Sequence, residues 1–243
     1  MSSILITGCN RGIGFALIKN LVQKSNNSTQ LIATCRNINK AEELRKLQEA
    51  NSNVHILELD LNKFENYQDF SKNVERIVQD KGLNVLINNA GISTKFTRLN
   101  LVKVDQLVDS LTTNTVAPII LTKTLLPLLQ KAAKIDPANN KSKIINMSSI
   151  LGSISLNDAG GFYPYRCAKT ALNAATKSMS VDLKSDGIIA VSLHPGWVKT
   201  DMGGKNAPLE VDTSAQGIIN IMETITEKDS GKFLQYDGKT LAW

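Results

Sequence analysis

Short runs of branched apolar residues alternate with longer stretches of helix-like spacing along this chain. The strand-like runs fall at 3–7, 31–34, 54–57, 85–88, 143–147, 188–193 and 232–235. The helix-like stretches fall at 12–23, 40–50, 63–81, 103–134, 163–184 and 213–226. Strict alternation predicts a parallel sheet with right-handed crossovers and helices on both faces. Runs such as Val85-Leu86-Ile87 are apolar at every position, which suits strands buried on both sides. The expected fold class is α/β, a doubly wound parallel sheet in one domain over 1–243, a length normal for such a domain. The most loop-like stretch, 195–208, carries Gly196, Gly203 and Gly204, so a mobile substrate-covering loop is expected over 195–212.

The first strand-like run opens into Thr7-Gly8-Cys9-Asn10-Arg11-Gly12-Ile13-Gly14 and then a helix. A glycine-rich turn at a helix N-terminus lets main-chain N–H groups approach a pyrophosphate closely. The spacing is Gly-x-x-x-Gly-x-Gly rather than the commoner Gly-x-Gly-x-x-Gly. A dinucleotide site that prefers NAD places a carboxylate at the end of the second strand for the ribose hydroxyls. Here that position reads Ala33-Thr34-Cys35-Arg36-Asn37, and the next carboxylate is Glu42. A guanidinium there suits a 2′-phosphate, which it grips through two donors, and Arg11 reaches the same region. An opposite-charge pair near a surface is worth about 4 kcal/mol at 4 Å before desolvation. The expected cofactor is therefore NADPH/NADP+. Asp60, beside Leu61 after the third strand, is read as a partner of the adenine amino group, or as the N-cap of the next helix.

Tyr165 and Lys169 stand four positions apart, so on a helix they share a face. A free phenol has a pKa of about 10 and exchanges protons poorly at neutral pH. A fixed positive charge beside it is expected to lower that value and to make a general acid for an alkoxide.

Composition narrows the field. Hydrophobic content of 42% and charged content of 21% are those of a soluble globular protein. The net charge of +6 is spread singly along helix-like stretches, which points to a phosphorylated small ligand and away from nucleic acid. No apolar run approaches the roughly 18 residues of a membrane span, and the opening residues lack a signal-peptide pattern. Three scattered cysteines suggest a reducing, cytoplasmic setting. His55 and His194 have no metal-ligand pattern around them, so no metal is expected. No Gly-x-Ser-x-Gly elbow supports a hydrolase. Asn26-Asn27-Ser28 and Asn146-Met147-Ser148 match a glycosylation acceptor pattern that has no meaning in a cytoplasmic chain. The leucines over 121–129 are read as core or subunit interface.

Taken together, Thr7-Gly8-x-x-x-Gly12-x-Gly14, Asn88-Asn89-Ala90-Gly91, Asn114, Ser149, Tyr165-x-x-x-Lys169 and Pro195-Gly196 resemble the short-chain dehydrogenase/reductase family over the whole chain. Segments 146–153, 193–202 and 236–243 resemble its carbonyl reductases. The resemblance implies a Rossmann-type fold and a catalytic set of Asn114, Ser149, Tyr165 and Lys169. Ser149 rather than Ser148 would bind the substrate carbonyl, and Tyr165 would be the acid. Lys169 would hold the nicotinamide ribose, and Asn114 a proton-relaying water. Cofactor contacts would come from Gly8, Asn10, Arg11, Gly12, Ile13, Gly14, Arg36, Asp60, Leu61, Asn88, Ala90, Gly91, Pro195, Gly196, Val198 and Thr200, besides Tyr165 and Lys169. The implied activity is hydride transfer from NADPH to small aldehydes, ketones or quinones. Alternatives are alcohol or steroid oxidation, or dinucleotide binding for signalling without turnover. A homodimer through the long fourth and fifth helices is also implied. One departure is the sixteen-position interval from Ser149 to Tyr165, longer than is commonest in the family. The excess, around 156–162, is expected to bulge out and shape the substrate entrance.

Overall fold

The computed structural model describes residues 2–25, 29–94, 96–135 and 142–243. Seven strands form one parallel sheet: β1 Ser3–Ile6, β2 Gln30–Cys35, β3 Val54–Glu58, β4 Val85–Asn88, β5 Ser142–Met147, β6 Ile188–His194 and β7 Phe233–Gln235. Their order is β3-β2-β1-β4-β5-β6-β7. The order reverses between β1 and β4, and ligands of such sheets sit at the carboxyl ends of the strands beside that reversal.

Side chains alternate across the sheet, so each strand feeds two cores. Ile4 and Ile6 face one way, with Leu17, Ile18, Ile218 and Met222 from helices α1 (Gly12–Ser25) and α7 (Val211–Thr224). Leu5 and Ile32 face the other, with Phe70 and Val74 of α3 (Tyr67–Val78) and Leu121, Leu125 and Leu129 of α5 (Ala117–Ile135). The leucines of 121–129 are thus core residues. Helix α2 covers Glu42–Ala50, preceded by a 3-10 turn, Ile38–Lys40.

The stretch expected as one helix over 103–134 is α4 (Val104–Leu111), a π-turn (Thr112–Val116) and α5. Contrary to the expectation of no span-length apolar run, Val104–Ile135 is long and apolar enough to cross a membrane by length and composition. Half of its most apolar window is buried inside the fold, as in a core helix. Helix α6 runs Tyr163–Asp182, with Pro164 in its first turn, where a missing N–H costs nothing. Of the two acceptor motifs, residues 26–28 lie outside the described residues. Asn146 is buried in β5, its amide donating to Thr176.

The loop after β6 ends at Glu210, two residues short of the expected 212, because α7 begins at Val211. It folds back on itself: Lys199 N–H donates to Leu209, Leu209 N–H to Trp197, and the Trp197 indole to the Gly203 carbonyl at 2.8 Å. Lys199 and Glu210 form an ion pair across its base.

Candidate active site

A cavity of about 860 Å³ opens at the carboxyl ends of β1, β2, β4 and β5. One side is the glycine turn. Gly8 has φ +72°, and a Cβ there would come within 2.8 Å of the Ala90 methyl. A Cβ at Gly14 would run into the Gly8 carbonyl. The turn therefore closes only with glycine, and Thr34 holds its start, accepting the Gly8 N–H at Oγ1 (3.3 Å) and the Cys9 N–H at its carbonyl (2.7 Å). The first turn of α1 contains no acidic residue, so the partial positive charge of the helix start is uncancelled. Asn89 braces the turn from β4: its N–H donates to Thr7 Oγ1 at 3.0 Å and its amide to the Thr7 carbonyl at 2.8 Å.

The structure brings Gly8, Asn10, Arg11, Gly12, Ile13, Gly14, Arg36, Asp60, Leu61, Ala90, Gly91, Tyr165, Lys169, Pro195 and Thr200 to this one cavity. Arg36, just after β2, and Arg11 both line it, as does Lys19 from α1, a cation that sequence reasoning missed. Its signal was positional: residues 12, 15 and 19 share a helix face. Asp60 does not cap a helix. It accepts the Asn62 N–H at 3.0 Å in the turn after β3, well before α3. Tyr67 donates to the Leu61 carbonyl at 2.8 Å and fixes that turn from behind. Asn62, Ile92 and Met202 also line the cavity without having been expected.

Three expected cofactor residues stand apart from the lining. Asn88 is buried and points into the fold, its amide donating to Asn146 at 2.8 Å and Thr122 at 3.2 Å. Val198 is buried and bridges Leu209. Gly196 has φ +88° and packs under Leu209 and Tyr236, so it shapes the loop rather than the cavity wall. Asn114 and Ser149 likewise lie outside the lining.

The four expected catalytic side chains come from three places: Asn114 from the π-turn, Ser149 from the turn after β5, and Tyr165 and Lys169 from α6. Asn114 lies in the π-turn, fully buried. Its Oδ1 accepts the Ile92 N–H at 2.9 Å, and its Nδ2 donates to the Ile92 carbonyl at 2.8 Å and to Ser110 at 3.1 Å. That side chain is committed to holding Ile92, in the loop after β4. Ser149 follows β5 by two residues and caps a short 3-10 turn, Ile150–Gly152, by accepting the Leu151 N–H at 3.2 Å. Its hydroxyl is near enough to the Tyr165 phenol to hold that pKa down. Ser148, which lines the cavity, instead donates to Asn173 at 2.6 Å.

The Tyr165–Lys169 pair departs from its expectation. Burial pushes the Tyr165 phenol up to about 12, only partly offset by the Ser149 hydrogen bond. Burial also pushes the Lys169 ammonium down to about 8. Lys169 Nζ stands 5.7 Å from the Tyr165 ring centre and donates to the Met147 carbonyl at 2.7 Å. Desolvation is therefore what sets the phenol, and the expected lowering by the lysine is not seen. In this arrangement Tyr165 is a neutral hydrogen-bond donor at physiological pH.

The insert after Ser149 is tied down at both ends. Ser155 donates through N–H and Oγ to the Trp243 main-chain oxygen at 3.0 and 2.6 Å, and Ser153 Oγ donates to the Ala242 carbonyl at 2.8 Å. Gly160, Gly161 and Phe162 all have positive φ, and Phe162 meets Phe96 edge-on with ring centres 5.1 Å apart. Among the described residues, no group of three or more His, Cys, Asp or Glu could hold a metal ion.

Residues 2–210 match the family model for the short chain dehydrogenases, and the chain belongs to that family. It is similar to the carbonyl reductase Sniffer of Drosophila melanogaster, with 52% identity, a TM-score of 0.97 and full coverage of both chains. An NADPH-bound carbonyl reductase from chicken fatty liver is 39% identical with a TM-score of 0.94, over 100% of this chain and 99% of that one. The C-signal protein of Myxococcus xanthus is 37% identical over 66% of this chain and 93% of its own length.

Proposed function

We propose that the protein is an NADPH-dependent carbonyl reductase acting on small aldehydes, ketones or quinones. The observation that carries this reading is the buried Tyr165 at the cavity, whose phenol burial pushes up to about 12 and so keeps neutral. Carbonyl reduction needs a proton to give, and a neutral phenol has one. Alcohol oxidation needs a base in the same place, and burial works against the phenolate. The NADPH-bound relative and the Arg36, Arg11 and Lys19 cluster support the cofactor.

The cavity fits a dinucleotide: glycine-only close approaches, the uncancelled N-terminus of α1 and a lining that includes Arg11, Lys19 and Arg36. The turn from Gly8 to Gly14 would hold the pyrophosphate, Arg36 and Arg11 the 2′-phosphate, Asp60 and Leu61 the adenine, and Lys169 the nicotinamide ribose. When bound, NADPH supplies the hydride. Ser149 and Tyr165 would meet the charge that grows on the carbonyl oxygen, and Tyr165 would give its proton to it. The side chain of Asn114 is already committed, so a relaying water would sit on main-chain carbonyls that the π-turn releases from the α-helical ladder. The free cysteines Cys9, Cys35 and Cys167 suit a cytoplasmic location. The exposed valines Val104, Val108 and Val116 suit a homodimer through α4 and α5.

The test is NADPH consumption by purified protein with a panel of quinones and aldehydes. The expected result is turnover, lost at least ~100-fold in Tyr165→Phe with NADPH binding retained. Equal rates in the variant would overturn the role of Tyr165. The name of the C-signal relative favours a second reading, a dinucleotide-binding signalling protein without turnover. NADPH binding with no consumption across the panel would select it.

A further inference from the structure

Three polar side chains on α6 reach across to the turn that carries Ser149. Arg166 Nη1 donates to the Leu151 carbonyl at 3.2 Å, Thr170 Oγ1 to the Gly152 carbonyl at 2.9 Å, and Asn173 Nδ2 to the same Gly152 carbonyl at 3.2 Å. Asn173 also accepts the Ser148 hydroxyl through Oδ1 at 2.6 Å. Positions 166, 170 and 173 form one helical stripe, and Tyr165 and Lys169 lie on the stripe beside it. The turn lies against the helix so closely that a Cβ at Gly152 would come within 2.9 Å of the Lys169 backbone. Within the turn, the Gly152 N–H donates to the Ser149 carbonyl at 2.7 Å and the Leu151 N–H to Ser149 Oγ at 3.2 Å.

Ser149 is therefore suspended between two points, Ser148 and Gly152, that both rest on one buried amide. Asn173 is 3% exposed, and these two bonds engage both of its polar atoms. It lies two helical turns beyond Tyr165, on the neighbouring stripe, and its bonds go to the turn rather than to the phenol or the ammonium. We infer that Asn173, supported by Thr170, is the positioning residue that sets the Ser149 hydroxyl against the Tyr165 phenol. It does so by clamping both ends of the serine turn to the helix that carries the tyrosine. The kinetic part of this inference rests on the carbonyl reductase reading.

The test combines exchange and kinetics on the full chain. Without any substrate, Asn173→Ala should speed amide hydrogen exchange in the 149–153 segment by about tenfold or more, while the body of α6 over 174–182 stays protected. In turnover, Asn173→Ala should lower kcat by about 10- to 100-fold and leave the NADPH KM within about twofold. In a Ser149→Ala background the same substitution should cost less than about threefold further, because the serine it positions is gone. Thr170→Ser should keep at least half of wild-type kcat, whereas Thr170→Val should lose several-fold. If Asn173→Ala does not fold, Ser148→Ala and Thr170→Val carry the same comparison. Unchanged exchange at 149–153 overturns the inference whether or not the protein turns over carbonyls. So does a loss fully additive with Ser149→Ala, or one that raises the NADPH KM in parallel. A wild-type protein that never consumes NADPH, with the exchange result intact, refutes the reductase reading and leaves the clamp standing.

Discussion

Lys169 Nζ donates to the Met147 carbonyl at 2.7 Å, tying the middle of α6 to the end of β5. The same burial that makes this bond strong pushes the ammonium down to about 8, while Tyr165 stays neutral until about 12. The first charge lost from the catalytic set as pH rises is therefore the lysine's. Carbonyl reduction measured as kcat/KM is expected to fall by about one decade per pH unit above about 8. A flat profile from pH 7 to 10 would contradict this order of titration.

Arg36 directly follows β2 and lines the cavity as an exposed residue. A charge-assisted contact to a phosphate is worth about 1.5–3 kcal/mol, or roughly 10- to 100-fold. Arg36→Ala is expected to raise the NADPH KM by that factor and leave the NADH KM within about threefold. Parallel steady-state titrations with both nucleotides decide it. If the NADPH/NADH ratio is unmoved, Arg36 does not read the phosphate.

Arg11 pairs with Asp201 at 3.2 Å, joining the glycine turn to the loop after β6. Both side chains are largely exposed, so the pair itself contributes little to stability. Its consequence is for binding, because Asp201 competes with a phosphate for the guanidinium. Asp201→Asn is expected to tighten NADPH binding by about two- to fivefold at low ionic strength, with the gain shrinking in added salt. Fluorescence titration of NADPH at two salt concentrations tests it, and weaker binding in the variant would refute the competition.

His194 ends β6 buried, with Nδ1 lacking a partner. Burial pushes its pKa down to about 4, and the Asp237 charge opposes this only in part. The unfolded chain takes up a proton below about 6.5, while the folded one resists until about 4. Stability attributable to His194 is thus present above pH 6.5 and is lost as pH falls to 4, by roughly 3 kcal/mol. Urea unfolding of His194→Phe is expected to show a shallower loss over this range than wild type. Identical pH dependence would mean that the imidazole is not held neutral.

Much of this molecule could be read from its sequence, because the signals are local. Each predicted strand is present within a residue or two at either end, since continuous apolar runs such as Val85-Leu86-Ile87 have no other use in a doubly wound sheet. The glycine turn and the Tyr165–Lys169 spacing were readable for the same reason. What escaped depends on depth and direction. Spacing places a lysine beside a tyrosine but does not say how dry the site is, and dryness decided both pKa shifts. Asn88 and Asn89 are adjacent, and only the pleat tells which one turns to the cavity. The π-turn at Asn114 depends on packing between α4, α5 and α6 rather than on local composition. Asn173 carries no motif because its partners, Ser148 and Gly152, lie more than twenty residues away.

The insert between Ser149 and Tyr165 is anchored independently of the groups it separates. Ser149 is held from α6, Tyr165 belongs to α6 itself, and the intervening chain is fastened to Trp243 and to Phe96. Residues 153–162 can therefore lengthen, shorten or change character without moving the serine relative to the tyrosine. In a lineage of such proteins, the doorway would be free to diversify while the chemistry behind it is inherited unchanged. Relatives that share this core should then differ in what they admit far more than in what they do to it.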